Sequence, residues 1–173
     1  LAVEKVWVIG GADVVSNDVM TQIASAGMAA ARIFGDDRYE TSVAIAEKMD
    51  SLLGGVYTVD RAFFTRGDNF PDALAVGPVA ATSMSPILLV PTDSIPAAIA
   101  DAVNDLDIKS GVIVGGPDVV SEGVNMGWEF GPGTPLVRVA ADPASIAAGL
   151  LAALERSART GIPDPAARDL SEQ

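Results

Sequence analysis

Two stretches of the chain are near copies of each other, Val8-Ile9-Gly10-Gly11-Ala12-Asp13-Val14-Val15-Ser16 and Ile113-Val114-Gly115-Gly116-Pro117-Asp118-Val119-Val120-Ser121. A repeat of this kind constrains the fold before any other feature does, because each copy must be the same supersecondary unit in equivalent surroundings. Each reads as a short apolar strand, a Gly-Gly turn and a Ser able to open a helix. A weaker echo follows. After the first copy, Arg32-Ile33-Phe34 leads into Gly35-Asp36-Asp37-Arg38-Tyr39-Glu40-Thr41-Ser42, whereas after the second Arg138-Val139 leads only to Ala140-Ala141-Asp142-Pro143. The second copy keeps the Arg and an Asp and has lost the Arg-Tyr-Glu-Thr part.

Around the copies the apolar pattern alternates in type. Strands are predicted over 5–11, 31–35, 62–66, 86–90, 111–115 and 136–140, and helices over 17–26, 38–53, 72–84, 96–106, 121–130 and 144–158. Helix 38–53 carries Ile45, Met49, Leu52 and Leu53 on one face, and Asp37 with Glu40 has the form of a capping box. Ser16 and Asp72 stand as caps for their helices, and Pro96 sits in a first turn. Ile87-Leu88-Leu89 reads as a fully buried central strand. Six strands alternating with six helices predict an α/β fold whose mostly parallel sheet, of about six strands, is covered on both faces. The stretch Gly131-Pro132-Gly133-Thr134-Pro135 is linker-like but short. Residues 1–158 therefore read as one domain, and the polar, Pro-containing residues 159–173 as a flexible C-terminal tail.

Taken in order, the first Gly-Gly phrase, Arg32 to Ser42, Gly67-Asp68-Asn69-Phe70-Pro71-Asp72-Ala73-Leu74-Ala75, Pro86 to Val90 and the second Gly-Gly phrase resemble the type 2 cell-wall-binding repeat of Gram-positive bacteria. The likeness runs from residue 5 or so to the neighbourhood of residue 125. It implies a Rossmann-like three-layer sandwich, in relatives usually three modules packed as a trimer, and a non-covalent hold on an anionic cell-wall polymer. It further implies an extracellular chain at the cell surface. One period is complete here, over residues 32–135, with partial repeats on either side.

Composition bounds the chemistry independently. The chain has 173 residues, 49% of them hydrophobic, enough for one domain with a proper core, and no long uncharged apolar run that would span a membrane. Leu1 runs almost directly into a strand, so no signal peptide is expected within this sequence. There is no Cys and no His. Disulfides, a Ser-His triad and a zinc site are thereby excluded, and no metal or cofactor is expected. The net charge of −12 opposes nucleic acid and anionic membranes at long range. An anionic wall polymer meets the same repulsion unless basic groups cluster or a cation bridges. Those basic groups are eight Arg and three Lys, and the Arg fork suits phosphate or carboxylate.

The candidate ligand-binding residues lie after strands. Gly10, Gly11, Gly115 and Gly116 end strands ahead of helices, where free backbone N–H groups favour an anion, or else they simply make tight turns. Arg38, Tyr39 and Thr41 open a helix just beyond a strand end, which in an open α/β sheet borders the ligand crevice. Arg38 is read equally as a clamp on Asp36 or Asp72. Arg66 and Asn69 stand in the next strand-to-helix loop, and Arg32 precedes Arg38. Asp105-Leu106-Asp107 ends a helix, the wrong place for a metal-holding acid pair. The expected function is a non-catalytic wall-binding module, with a homo-oligomer or neighbouring repeats as partners. A structural surface subunit that has lost the polymer site, or a Rossmann-like enzyme acting on a nucleotide or sugar phosphate, are the alternatives. The enzyme rests on fold class alone.

Overall fold

In a computed structural model, residues 3–54, 59–126 and 136–139 are described. Strands and helices alternate along them: β1 (Lys5–Ile9), α1 (Asn17–Ser25), β2 (Ala29–Ile33), α2 (Arg38–Leu53), β3 (Arg61–Arg66), α3 (Pro71–Thr82), β4 (Ile87–Val90), α4 (Ala97–Asp105), β5 (Ser110–Val114), α5 (Glu122–Met126) and β6 (Leu136–Val139). Every strand pairing among them is parallel. The helix predicted over 144–158, the end of the one predicted over 121–130, and the tail 159–173 lie outside the described residues.

The parallel α/β class holds, but the single sheet of about six strands does not. The six strands divide into a two-stranded sheet, β1-β2, and a four-stranded sheet in the order β4-β3-β5-β6. The repeat supplies the reason. β1-α1-β2 and β5-α5-β6 are the same unit: Gly10 N donates to Ile33 O at 2.9 Å as Gly115 N donates to Val139 O at 3.1 Å. The N–H groups of Val14 and Val15 turn back on Gly11 O, and those of Val119 and Val120 on Gly116 O. In the second unit β3 and β4 continue the sheet past β5. In the first, no described strand continues it past β1, and the sheet stops at two.

Helices coat both faces of the four-stranded sheet. On one, Ala46, Ile99 and Val124 from α2, α4 and α5 meet Phe64, Leu88 and Ile113. On the other, Val76 and Ala80 of α3 meet Phe63, Val112 and Val114. Full burial of each large side chain stabilises the fold by roughly 1.5–3 kcal/mol, so this body carries most of the core. By contrast α1 buries no residue.

The chain crosses between the sheets at Gly35, since β2 pairs with β1 while α2, which follows it, packs on β4 and α4. That crossing is tight. A Cβ at Gly35 would stand 2.3 Å from Glu40 Cβ. Asp37 caps α2 by accepting from Tyr39 N at 2.7 Å and Glu40 N at 2.9 Å, while Glu40 Oε2 accepts from Asp36 N at 2.9 Å. The predicted capping box is therefore present, its Glu reaching one residue further back than usual.

Three local expectations change. Ser16 occupies the N-cap position of α1 but makes no side-chain cap bond. Asp72 is not the cap of α3, because Phe70 holds that position and Pro71 opens the helix. The Ile87-Leu88-Leu89 strand is not central; β4 is the edge of its sheet, with Leu88 buried and Ile87 and Leu89 half-buried. An apolar run survives at this edge because α2 covers it: Ser42 Oγ accepts from Leu89 N at 3.1 Å and donates to Tyr39 O at 2.7 Å. That bond satisfies an outward N–H which an edge strand would otherwise expose.

Candidate functional site

Strand order sets the site. The chain runs from β3 outward to β4 and then returns past β3 to β5, so the sheet reverses direction between β3 and β5. In an open parallel sheet the crevice for a ligand opens at such a switch point, beyond the carboxyl ends of the strands. Here those ends are the Arg66 to Phe70 loop and the Gly115-Gly116 turn.

Three elements meet there. Gly67 lies against the ring of Tyr39, where a Cβ would come within 2.7 Å of Tyr39 Cε1 and 3.2 Å of Leu89 Cβ. Arg38, the first residue of α2, donates from Nη1 to Gly67 O at 2.9 Å. So Arg38 clamps neither Asp36 nor Asp72; it holds a backbone carbonyl of the loop, and among the described residues it forms no salt bridge. The third element is α3, whose Asp72 faces the second repeat turn: a Cβ at Gly115 would lie 3.1 Å from Asp72 Oδ2. Partial burial holds the Asp72 carboxyl above its ordinary range.

Arg66 is committed elsewhere. Its guanidinium pairs with Asp68 in the same loop. The hydrogen bond from Arg66 pulls the Asp68 carboxyl below its ordinary range, and the same bond raises Arg66. An anion approaching this loop therefore meets a pair already neutralised, with Arg38 as the exposed cation beside it. Asn69 and Phe70 are exposed at the rim, Phe70 at 71%. Thr41 turns inward, its Oγ1 accepting from Gly35 N at 3.1 Å and bracing the crossing.

Gly10, Gly11 and Arg32 form the matching corner of the two-stranded sheet. Arg32 Nη1 donates to Gly10 O at 2.6 Å and Gly11 O at 3.1 Å, and Nη2 to Asn17 Oδ1 at 3.3 Å. Arg138 repeats the arrangement on Gly115 O at 3.0 Å and Ser121 O at 3.4 Å, with Glu122 beside it. The Arg that recurs in both copies thus locks the carbonyl side of the glycine turn. The N–H groups of Gly10 and Gly115 go to the sheet, while the carbonyls of Gly11 and Gly116 accept the turn bonds from Val14 and Val15 and from Val119 and Val120.

Among the described residues no group of three His, Cys, Asp or Glu converges to hold a metal ion, and no helix is long and apolar enough to cross a membrane. Asp107 closes α4 in an ion pair with Lys109. The sequence reading passed over Lys5, Trp7 and Lys48, which meet at the Trp7 ring, beside a groove that Trp7 and Lys48 line. A Lys and a Trp two apart on a strand share a face, a signal that was present; nothing local brings Lys48 to them.

Comparison with known proteins bears on this geometry. The family model described as Cell wall binding domain 2 (CWB2) matches residues 32–125, more than half of the chain. Among curated proteins the chain is 34% identical over 121 residues to N-acetylmuramoyl-L-alanine amidase LytC of Bacillus subtilis (strain 168), covering 70% of this chain and 23% of that one. It is 37% identical over 122 residues to the amidase enhancer of the same organism, covering 70% and 15%. Solved structures of Cwp6 and Cwp8 from Clostridium difficile resemble it with TM-scores of 0.75 and 0.70 at 26% and 25% identity. They cover 88% and 87% of this chain, which spans 24% of each of theirs. The chain thus spans a quarter or less of every one of these relatives.

Proposed function

The chain belongs to the cell wall binding domain 2 family, and from that premise we propose that it is a non-catalytic module attaching a secreted or surface protein to an anionic polymer of the Gram-positive wall. The observation that carries this is the family match over residues 32–125, which spans the complete module from the crossing at Gly35 through both ends of the switch point. Two curated relatives differ in name, an amidase and an amidase enhancer, yet each matches 70% of this chain, so the two matches overlap. A segment common to proteins of different activity is what an attachment module looks like. We read the four-stranded sheet with its two helical coats as the Rossmann-like module that holds the polymer, outside the cell.

Within it, Arg38 is the leading contact. It is exposed at the switch point and fixed by Gly67 O, and it forms no salt bridge among the described residues, although Asp68 lies near enough to feel its charge. Tyr39, Asn69 and Gly116 are its companions, with Gly11 on the corresponding turn of the two-stranded sheet, while Arg66 contributes less because Asp68 competes for it. Arg32, Gly10, Gly115 and Thr41 shape the turns on which these groups stand.

Purified Gram-positive walls test the proposal, before and after extraction of their secondary polymer. The protein should sediment with intact walls and not with extracted ones. A lost charge-assisted hydrogen bond is worth about 1.5–3 kcal/mol, so Arg38→Ala should weaken the interaction roughly tenfold to a hundredfold with little change in melting temperature. Equal sedimentation with both wall preparations would reject the polymer as ligand. No sedimentation at all would favour a surface subunit that keeps the fold without the polymer site.

A further inference from the structure

The groove between the two-stranded sheet and α2 is separate from the switch point. Lys5, Trp7 and Ile9 alternate along β1 and share one face, which Ala31 and Ile33 of β2 extend in register. In the second copy of the repeat Ser110, Val112 and Val114 stand on the matching face, and the two valines are covered. Val112 stands where Trp7 stands, and it packs with Val76 and Ala80 under α3. In the first copy this face looks across a groove of about 360 Å³ at Ala44, Glu47, Lys48 and Ser51 of α2. Phe34, exposed at 53%, and Ile33 complete an apolar floor around Trp7. Arg32 borders the groove too, but its guanidinium is spent on the Gly10 and Gly11 carbonyls.

Two of the three lysines in the chain converge on this floor. The Nζ atoms of Lys5 and Lys48 lie 4.1 Å and 4.8 Å from the centroid of the Trp7 ring. Neither forms a salt bridge among the described residues. The ring quadrupole attracts each ammonium group, and with no salt bridge to either among the described residues an anion entering the groove can accept a charge-assisted hydrogen bond from them. In a chain of net charge −12, such a pair, with Glu47 the one carboxylate lining the groove among the described residues, is a local exception. An aromatic floor with a few polar groups at its rim suits a ring that offers an apolar face and a charged substituent.

We propose that the Trp7 groove binds an anionic saccharide unit, a sugar bearing a carboxylate or a phosphate, with Lys5 and Lys48 on the charge and the apolar lining of Ile33, Phe34 and Trp7 against the sugar. The inference rests on the wall-binding reading only for the source of that sugar. Replacing the other tryptophan, Trp128→Phe, makes Trp7 fluorescence the reporter of the groove. Titration at low salt with polygalacturonate and with phosphomannan distinguishes carboxylate from phosphate, with neutral dextran as control. A saturable change with at least one polyanion, absent with dextran, is expected. Lys5→Gln combined with Lys48→Gln should weaken it at least tenfold, whereas Lys5→Arg with Lys48→Arg, which keeps both charges, should retain it. An equal response to dextran, a silent Trp7 with both polyanions, or an undiminished response in the Gln variant overturns the proposal. A Trp7 response in a protein that fails to sediment with walls upholds the groove and overturns the wall-binding reading. Wall binding with a silent Trp7 does the reverse.

Discussion

Residues of one type play opposite roles here, and partners decide which. Arg32 and Arg138 recur in the repeat because each ties down the carbonyl side of a glycine turn. Arg38 occurs once, outside the repeated phrase, and is the exposed one. Sequence position brought all three forward, but only the fold separates a turn lock from a candidate contact. Asp72 shows the same dependence. Its carboxyl is raised by desolvation, so the folded state binds its proton more tightly than the unfolded chain does. The ionised form at neutral pH therefore costs stability, and that cost disappears as pH falls through the raised value toward the ordinary aspartate range. Asp72→Asn should accordingly raise the urea midpoint at neutral pH and flatten the pH dependence of stability over that window. A midpoint that falls at neutral pH would show that the carboxylate makes a stabilising contact outweighing its desolvation.

At the scale of elements, the two glycine turns are one device in unequal company. Both first glycines hold positive φ, +108° at Gly10 and +119° at Gly115, so a side chain is strained at either. Their neighbours differ. An added Cβ at Gly10 meets Val14 at 3.5 Å, an ordinary contact, whereas at Gly115 it meets Val119 Cγ1 at 2.8 Å and Asp72 Oδ2 at 3.1 Å. Gly10→Ala should cost about 1–2 kcal/mol for backbone strain alone, and Gly115→Ala clearly more, because Val119 and Asp72 must also move. Urea unfolding of the two variants side by side checks this, and equal losses would mean that α3 yields freely. Strand and helix identity followed well from periodicity, as the close agreement at α2 and β4 shows. The role of β4 did not, since an apolar triplet reads as central while Ser42, one helix away, is what lets it stand at an edge.

At the scale of the whole molecule the two sheets are unequally packed. The four-stranded body holds both buried clusters, whereas the two-stranded sheet leaves Ile9 and Val14 exposed at 44% and 80% and is covered by an α1 that buries nothing. Two strands alone are marginal in water. Amide hydrogen exchange should therefore run fastest in β1 and α1 and slowest in β3 and β5. We infer that the two-stranded sheet is completed by a second copy or by neighbouring repeats, so exchange in β1 should slow as protein concentration rises or when the chain is embedded in a longer parent. Exchange that is slow in dilute solution, or indifferent to both, would remove that inference.

What the sequence determined by itself was what short-range pattern encodes: the repeat with its glycine turns, the alternation of strand and helix, the capping box at Asp37, and the motifs that resemble the wall-binding family. These survive because each depends on residues within a few positions of one another. The division into two sheets, the reversal between β3 and β5, the pairing of Arg66 with Asp68 and the meeting of Lys5, Trp7 and Lys48 were decided only by tertiary structure. A repeat unit in the sequence begins at Arg32, but its first strand pairs backward with β1 while its first helix packs forward on β4. That exchange between sheets, made at Gly35, is a property of packing between distant segments, and no local pattern records it.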